Sequence, residues 1–375
     1  MEPAEVTMTK PTKAISINTG GGDAPGLNAV IQSVVYAASH LGWKVYGIRE
    51  GYDGLLFPDR YPDGGLVELN PDGVEGIGRM GGTILGSTNR GNPFRALEKA
   101  PDGTLREVDK SDLVIEAFRK HGIDSHIAVG GDGSLTIALE LHRKGLHVVG
   151  VPKTIDNDLR STVATFGFSS AVSFATECID RLHTTAQAHR RIMVVEVMGR
   201  YAGWIALHCG IAGEADAILI PEIPYDIQKV AEALKKKICV VQPYAIVVVA
   251  EGAKTAGGDV TVKSREPGRV ERLGGIGDIV AKELGSLTGY EARAVVLGHL
   301  LRGGSPNAMD RILGLGFGAA AINALKEGKD GVMVALNPPR IEYVPLEQAV
   351  SGIKTVPFDG DLVTAARALN ISFGD

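Results

Sequence analysis

Cysteine is nearly missing from this chain: there are three in 375 residues, Cys178, Cys209 and Cys239, each inside an apolar or helical pattern. So few, so spaced, they exclude a disulfide framework and a zinc site, and they point to a reducing, cytoplasmic setting. No apolar run reaches membrane-spanning length. The first thirteen residues are polar, without the apolar core of a signal peptide. Positive charge is not in excess: 39 Lys and Arg against 44 Asp and Glu leave a net charge of −5. That disfavours a nucleic-acid or anionic-membrane surface and confines any anion site to a local basic pocket. Low-complexity segments and short-period repeats are absent too.

Hydrophobic residues make up 44% and charged residues 22%, the balance of a globular protein, and the length suits two domains. The 49 glycines cluster at the ends of apolar runs, where they let backbone approach a phosphate. The pattern alternates strand and helix along the whole chain, which predicts an α/β fold of two doubly wound parallel sheets, with the polar loops facing each other across a cleft.

The chain is organised around Pro152-Lys153-Thr154-Ile155-Asp156-Asn157-Asp158, which follows an apolar run over 147–151 that reads as a buried parallel strand. Ligands of open α/β sheets bind at the carboxyl ends of strands. Acids there hold Mg²⁺ or take a proton from a hydroxyl, and a lysine holds a phosphate. Asp158 taken alone serves equally as a helix cap, but no cap or turn requires the whole cluster.

Two further units have the form strand, glycine-rich turn, helix. The first is a strand over 13–18, the loop Gly20-Gly21-Gly22-Asp23-Ala24-Pro25-Gly26 and a helix over 29–40, with Asp23 and Pro25 at the helix start. It is neither the dinucleotide fingerprint nor the P-loop. The second is a strand over 126–129, Gly130-Gly131-Asp132-Gly133-Ser134 and a helix through 144. Backbone N–H groups in both can cradle phosphate, and Asp132 can hold the Mg²⁺ that accompanies it. A loop-strand-loop over 79–90 ends at Arg90, which alone reads as a solvated arginine. Beyond a helix over 168–188, the strand 192–197 leads into Met198-Gly199-Arg200, and the strand 244–250 ends at Glu251. The strand 293–298 empties into His299-Leu300-Leu301-Arg302, with Ser305 and Pro306 at the start of the next helix. The segment 256–273 reads as an exposed loop.

Five of these stretches in order, Gly21 to Gly26, Gly130 to Ser134, Pro152 to Asp158, Val197-Met198-Gly199-Arg200 and Gly298 to Pro306, resemble the 6-phosphofructokinase superfamily, which uses either ATP or pyrophosphate. The resemblance runs from about residue 13 to residue 373. It implies phosphoryl transfer to the 1-hydroxyl of fructose 6-phosphate, a glycolytic, Mg²⁺-dependent step. The nucleotide domain would be residues 1–167 plus about 300–355, and the sugar-phosphate domain 168–299 plus about 356–375.

Residue by residue, the resemblance implies that Asp156 is the general base, that Thr154 holds the same region with Asp158 a supporting acid nearby, that Arg200 is catalytic and binds substrate on the sugar-phosphate side beside Met198 and Gly199, and that Asp132 binds the metal. Gly22, Arg90, Gly131, Asp132, Gly133, Ser134 and Lys153 fall to the phosphoryl donor. Met198, Gly199, Glu251, His299 and Arg302 fall to the sugar phosphate. Arg191 and Arg293 match arginines that reach across from a neighbouring subunit, so a homodimer or homotetramer with shared sites is expected. ATP is the expected donor, because an acid at position 133 would repel its α-phosphate and this chain has Gly133. Lys153 is a feature of the pyrophosphate type, which keeps that donor open.

Val163 and Ser169 stand where relatives usually have aspartate, which bears on the sugar pocket. Gln32 and Tyr36 replace effector-site arginines, so ADP activation through that site is not expected. A catalytically silent regulatory subunit would lose Asp156 or Asp132, and a lipid or NAD kinase would have no use for the Asp156 and His299 loops.

Overall fold

Runs of β-branched residues give the strands, and apolar residues recurring every three to four positions, as at Val114, Ile115 and Phe118, give the helices. A computed structural model describes residues 13–100, 103–240, 242–264 and 272–375. Of the cysteines, Cys178 is half-buried and Cys209 buried, both as free thiols; the side chain of Cys239, like residues 1–12 and 265–271, lies outside the described set. Among the described residues no helix is long and apolar enough to cross a membrane.

Two sheets carry the fold. The large sheet runs Arg340–Pro345, Val332–Asn337, Val148–Thr154, Ser125–Gly130, Ala14–Thr19, Lys44–Ile48, Leu66–Leu69, with Phe166–Gly167 paired to Val148–Thr154. Its inner pairs are parallel, as the sequence predicts, but Leu66–Leu69 and Arg340–Pro345 close the two edges antiparallel. At the Arg340–Pro345 edge the two-residue connection at 338–339 forces that reversal, whereas Leu66–Leu69 is reached through residues 49–65, which include the short helix Asp53–Leu56. The small sheet, Ala217–Leu219, Ala245–Ala250, Ile192–Val197, Ala292–Val296, is parallel throughout. Its central strands are wholly buried and almost entirely apolar, the exception being Glu196, whose carboxylate accepts from the Gly275 and Gly277 amides. Each such Val or Ile contributes about 1.5–3 kcal/mol of burial.

Helices Leu27–Ser39 and Ala308–Lys326 lie together on the large sheet. They approach closely because position 318 is glycine: a Cβ there would sit 2.7 Å from the Val30 carbonyl oxygen. Helices Phe168–His189 and Trp204–Ala212 cover one face of the small sheet.

Three local expectations are corrected. The first helix starts at Leu27 after Gly26, whose φ of 110° is a left-handed geometry that suits glycine, and Asp23 does not cap it. The later helix is capped by Asn307, whose side chain accepts from the Asp310 amide, so Ser305 and Pro306 precede it. No strand forms within 79–90: Gly82 and Gly86 turn the backbone at φ 65° and 73°, and the stretch is held as a loop by the Thr88 carbonyl accepting from the Gly21 amide. The described part of 256–273 also departs from a plain loop, pairing Val262–Ser264 with Arg272–Leu273.

Candidate active site

The central strand Val148–Thr154 runs three residues further than its apolar stretch. Lys153 and Thr154 still pair, with Phe166 and Gly167, so both side chains are held by the sheet. Lys153 is 3% exposed and its Nζ donates to the Gly22 carbonyl at 2.5 Å. Burial, then the neighbouring Arg302, pulls its ammonium down to about 7, against the opposing pull of Asp23, Asp158 and Asp156. Next comes Ile155, fully buried among Val197, Leu297 and Leu301 of the small-sheet core. This anchor fixes the backbone at Asp156, whose amide donates to Thr154 Oγ1 at 3.1 Å. The Asp156 carboxyl is raised to about 7, first by burial and then by Asp158 and Glu251, while Arg302 and Lys153 oppose the shift. Its Oδ1 is enclosed with no hydrogen-bond partner. A buried acceptor left open in this way calls for a ligand group or water.

On the large-sheet side, small residues make room for an anion. Gly21, at φ 78°, has Lys153 Nζ, Ser134 Oγ and Asn89 Oδ1 within 3.3–3.9 Å of where a Cβ would be. At Gly20 and Gly130 a Cβ would strike Ser134, at 2.7 and 2.2 Å. Gly131 backs onto the Lys153 carbonyl, whereas Gly133 faces open space, with nothing within 4 Å. Asp132 begins the helix Asp132–Arg143 and is exposed. Its carboxyl is raised by partial burial and by Asp158, so two acids face the same space. Among the described residues no cluster of three metal-binding side chains exists. That donor set fits Mg²⁺, which takes one or two carboxylates and completes its shell with water and phosphate. Arg90 is exposed at the rim, its amide bonded to Thr88 Oγ1.

Arg302 joins the two sides. It lies on the short helical turn Gly298–Arg302, its Nη1 donates to the Asp23 carbonyl at 3.1 Å, and it fills the space a side chain at Gly22 would need. Across the cleft, Met198, Gly199 and Arg200 follow the strand Ile192–Val197. Gly199 takes φ 139°, and the Arg200 carbonyl oxygen comes within 2.1 Å of where a Gly252 Cβ would be. Glu251 is raised by burial, then by Glu196, with Arg200 and Arg302 opposing. Lys153, Asp156, Glu251 and Arg302 therefore share one electrostatic environment. His299 is exposed at the edge of it.

Arg191 and Arg293 are not brought to this cluster. Both stand at the amino-terminal ends of small-sheet strands, Arg293 level with Met193, and both pair with Glu291. Arg191 and Arg200 flank the same six-residue strand, so roughly 20 Å of backbone separates them. Val163 is 57% exposed and its amide is bonded to Leu336, while Ser169 accepts from the Asn307 side chain behind the Arg302 turn. Lys354, which no local motif marks, sits against the Asp156 loop and donates to Asn157 Oδ1.

A family model described as Phosphofructokinase matches residues 14–325. An ATP-dependent 6-phosphofructokinase of Chloroflexus aggregans is 49% identical over 370 residues, covering 98% of this chain and 99% of that one. A pyrophosphate–fructose 6-phosphate 1-phosphotransferase of Amycolatopsis methanolica is 47% identical over 348 residues, covering 92% and 96%. Among solved structures, the phosphofructokinase of Pichia pastoris in the T-state superposes with a TM-score of 0.78 at 30% identity, covering 99% of this chain and 40% of that longer one.

Proposed function

The chain belongs to the phosphofructokinase family, and we propose that it transfers the γ-phosphoryl group of ATP to the 1-hydroxyl of fructose 6-phosphate, giving fructose 1,6-bisphosphate. The observation that carries this is the Asp156 carboxylate, enclosed and open at Oδ1, with Lys153 of the glycine-turn side and the oppositely charged Glu251 and Arg302 in its electrostatic surroundings. With its pKa near 7, Asp156 takes the hydroxyl proton as the oxygen attacks, the work of a general base poised at its operating pH.

Gly22, Gly131, Gly133 and Ser134 present backbone N–H groups to the donor, and Lys153 and Arg90 bring charge to its phosphates. Asp132 holds Mg²⁺, which when bound neutralises charge on the transferring group. Arg200 steadies that group from the far side, and Thr154 orients the Asp156 loop. Met198, Gly199 and Glu251 hold the sugar, and His299 and Arg302 its 6-phosphate. Arg191 and Arg293 complete the 6-phosphate site of a second copy, which makes the working form a homo-oligomer with shared sites. Sheet membership supports a nucleotide domain of residues 1–167 plus about 300–355 and a sugar-phosphate domain of 168–299 plus about 356–375. The two described free thiols suit a cytoplasmic setting.

The donor rests on Gly133. The open space beside it admits an α-phosphate that an aspartate would fill and repel. The pyrophosphate reading has its own support in buried Lys153 and in the Amycolatopsis relative. Initial rates of fructose 1,6-bisphosphate formation with Mg²⁺, run in parallel with ATP and with pyrophosphate, separate the two. Turnover with ATP alone is expected. Turnover with pyrophosphate alone overturns the donor assignment, and no turnover with either in folded oligomer favours a silent regulatory subunit.

A further inference from the structure

A segment of the carboxyl-terminal part of the chain runs along the loop that follows Asp156. Ile353 pairs antiparallel with Leu159, and the Lys354 amide donates to the Asp158 carbonyl at 2.7 Å. The Lys354 side chain then turns onto the same loop. Its Nζ donates to Asn157 Oδ1 at 3.1 Å, to the Thr162 carbonyl at 2.9 Å and to the Val163 carbonyl at 3.1 Å, which uses every proton an ammonium carries. The other side of this segment is tied to the small-sheet half. Trp204 Nε1 donates to the Lys354 carbonyl at 2.9 Å, and the Val356 amide donates at 2.8 Å to Glu222, whose carboxylate also accepts from the Gly203 amide. Gly203 and Trp204 open the helix that follows the Met198–Arg200 turn.

We propose that Lys354 is a positioning residue for the transfer: it clamps the loop 157–163 so that Asp156 keeps its place relative to the sugar-side turn at Met198 to Arg200. This inference rests on the phosphoryl-transfer reading. The need for a clamp is local. Asn157, next to the base, holds φ 51°, a left-handed conformation that persists only where its surroundings fix it. Its Oδ1 is held by the Thr165 amide at 3.1 Å and by Lys354. Burial draws the Lys354 ammonium down to about 8, with Asp158 opposing, so it stays protonated at neutral pH and keeps all three donors. A loop held from both halves places the base; a loop held from one half lets it drift. A displacement of about 1 Å at a reacting group costs on the order of a hundredfold in rate.

The test compares full-length Lys354→Met, Lys354→Arg and Trp204→Phe with the parent, by initial rates with ATP, Mg²⁺ and fructose 6-phosphate and by amide hydrogen exchange over 155–165 without ligands. In Lys354→Met we expect kcat to fall about a hundredfold with KM for both substrates within about threefold, and exchange in 155–165 to quicken. Lys354→Arg, which keeps charge and donors, should recover most of kcat. A Lys354→Met enzyme with kcat near the parent's, a loss confined to KM, or an Arg variant as slow as the Met one would each overturn the proposal. If Lys354→Met does not fold, Trp204→Phe decides: a fall in kcat of about tenfold at constant KM supports the clamp, and unchanged kcat refutes it. A parent without turnover would sink the functional reading instead. The clamp would then stand or fall on exchange alone, faster in Lys354→Met or unchanged.

Discussion

The two sides of the cleft are built to different degrees. The large-sheet side is the more finished within one chain: Lys153 is buried and bonded, and Ser134 fills the space beside two glycines. The small-sheet side keeps Glu251 and Arg302 near Asp156, with Arg200 near Glu251, but leaves Arg191 and Arg293 at the amino-terminal ends of their strands, satisfied by Glu291. The difference teaches that one copy of this fold can complete the packing of its glycine turns against Lys153, Ser134 and Arg302, whereas strand order holds Arg191 and Arg293 at the end of the small sheet away from Arg200 and Glu251.

The largest break comes from Asp156→Asn. It should lower kcat by about 10²–10⁴-fold with ligand binding largely kept. The parent's kcat/KM should rise through a pKa near 7, well above the ordinary carboxylate value, and the Asn variant should lack that limb. The same group also sets a stability slope. Between the ordinary carboxylate range and about 7 the unfolded chain has released a proton that the folded chain holds, so stability falls as pH rises through that window. Melting temperatures measured across it should fall less in Asp156→Asn than in the parent. A parallel fall would show that the carboxyl is not shifted.

Mixing two inactive chains sharpens the comparison next. Asp156→Asn and Arg191→Ala subunits, denatured and refolded together, should regain activity through sites that take the base from one copy and the arginine from the other. Confirmed mixed oligomers without activity would mean that each chain supplies its own sugar-phosphate site. The smallest effect is expected on the finished side. Gly133→Asp should reduce kcat/KM for ATP by about tenfold or more, through repulsion of the α-phosphate, and affect pyrophosphate less. An unchanged ATP rate would show that the space at Gly133 does not select the donor.

The close approaches at the glycine turns were legible in the sequence because they are local. Glycines are needed where backbone meets phosphate or another chain segment, and Gly20, Gly21, Gly22 and Gly130 announce that requirement in order along the chain. The helix starts were misread for the complementary reason. Asp23 and Ser305 have the chemistry of caps, but Gly26 and Asn307 occupy the positions where the backbone turns. Nothing local marked Lys354 either, because its partners lie about two hundred residues away.

By itself, then, the sequence determined the alternation of strands and helices, the glycine turns and the acidic loop at Asp156, since each depends on neighbours a few residues apart. Tertiary structure alone decided that Ile155 would be pinned in the opposite sheet's core, that Arg302 would lie within electrostatic reach of both Asp156 and Glu251, and that Arg191 and Arg293 would stand at the far end of their strands. Those placements follow from strand order and packing, and neither is written in any short stretch of chain.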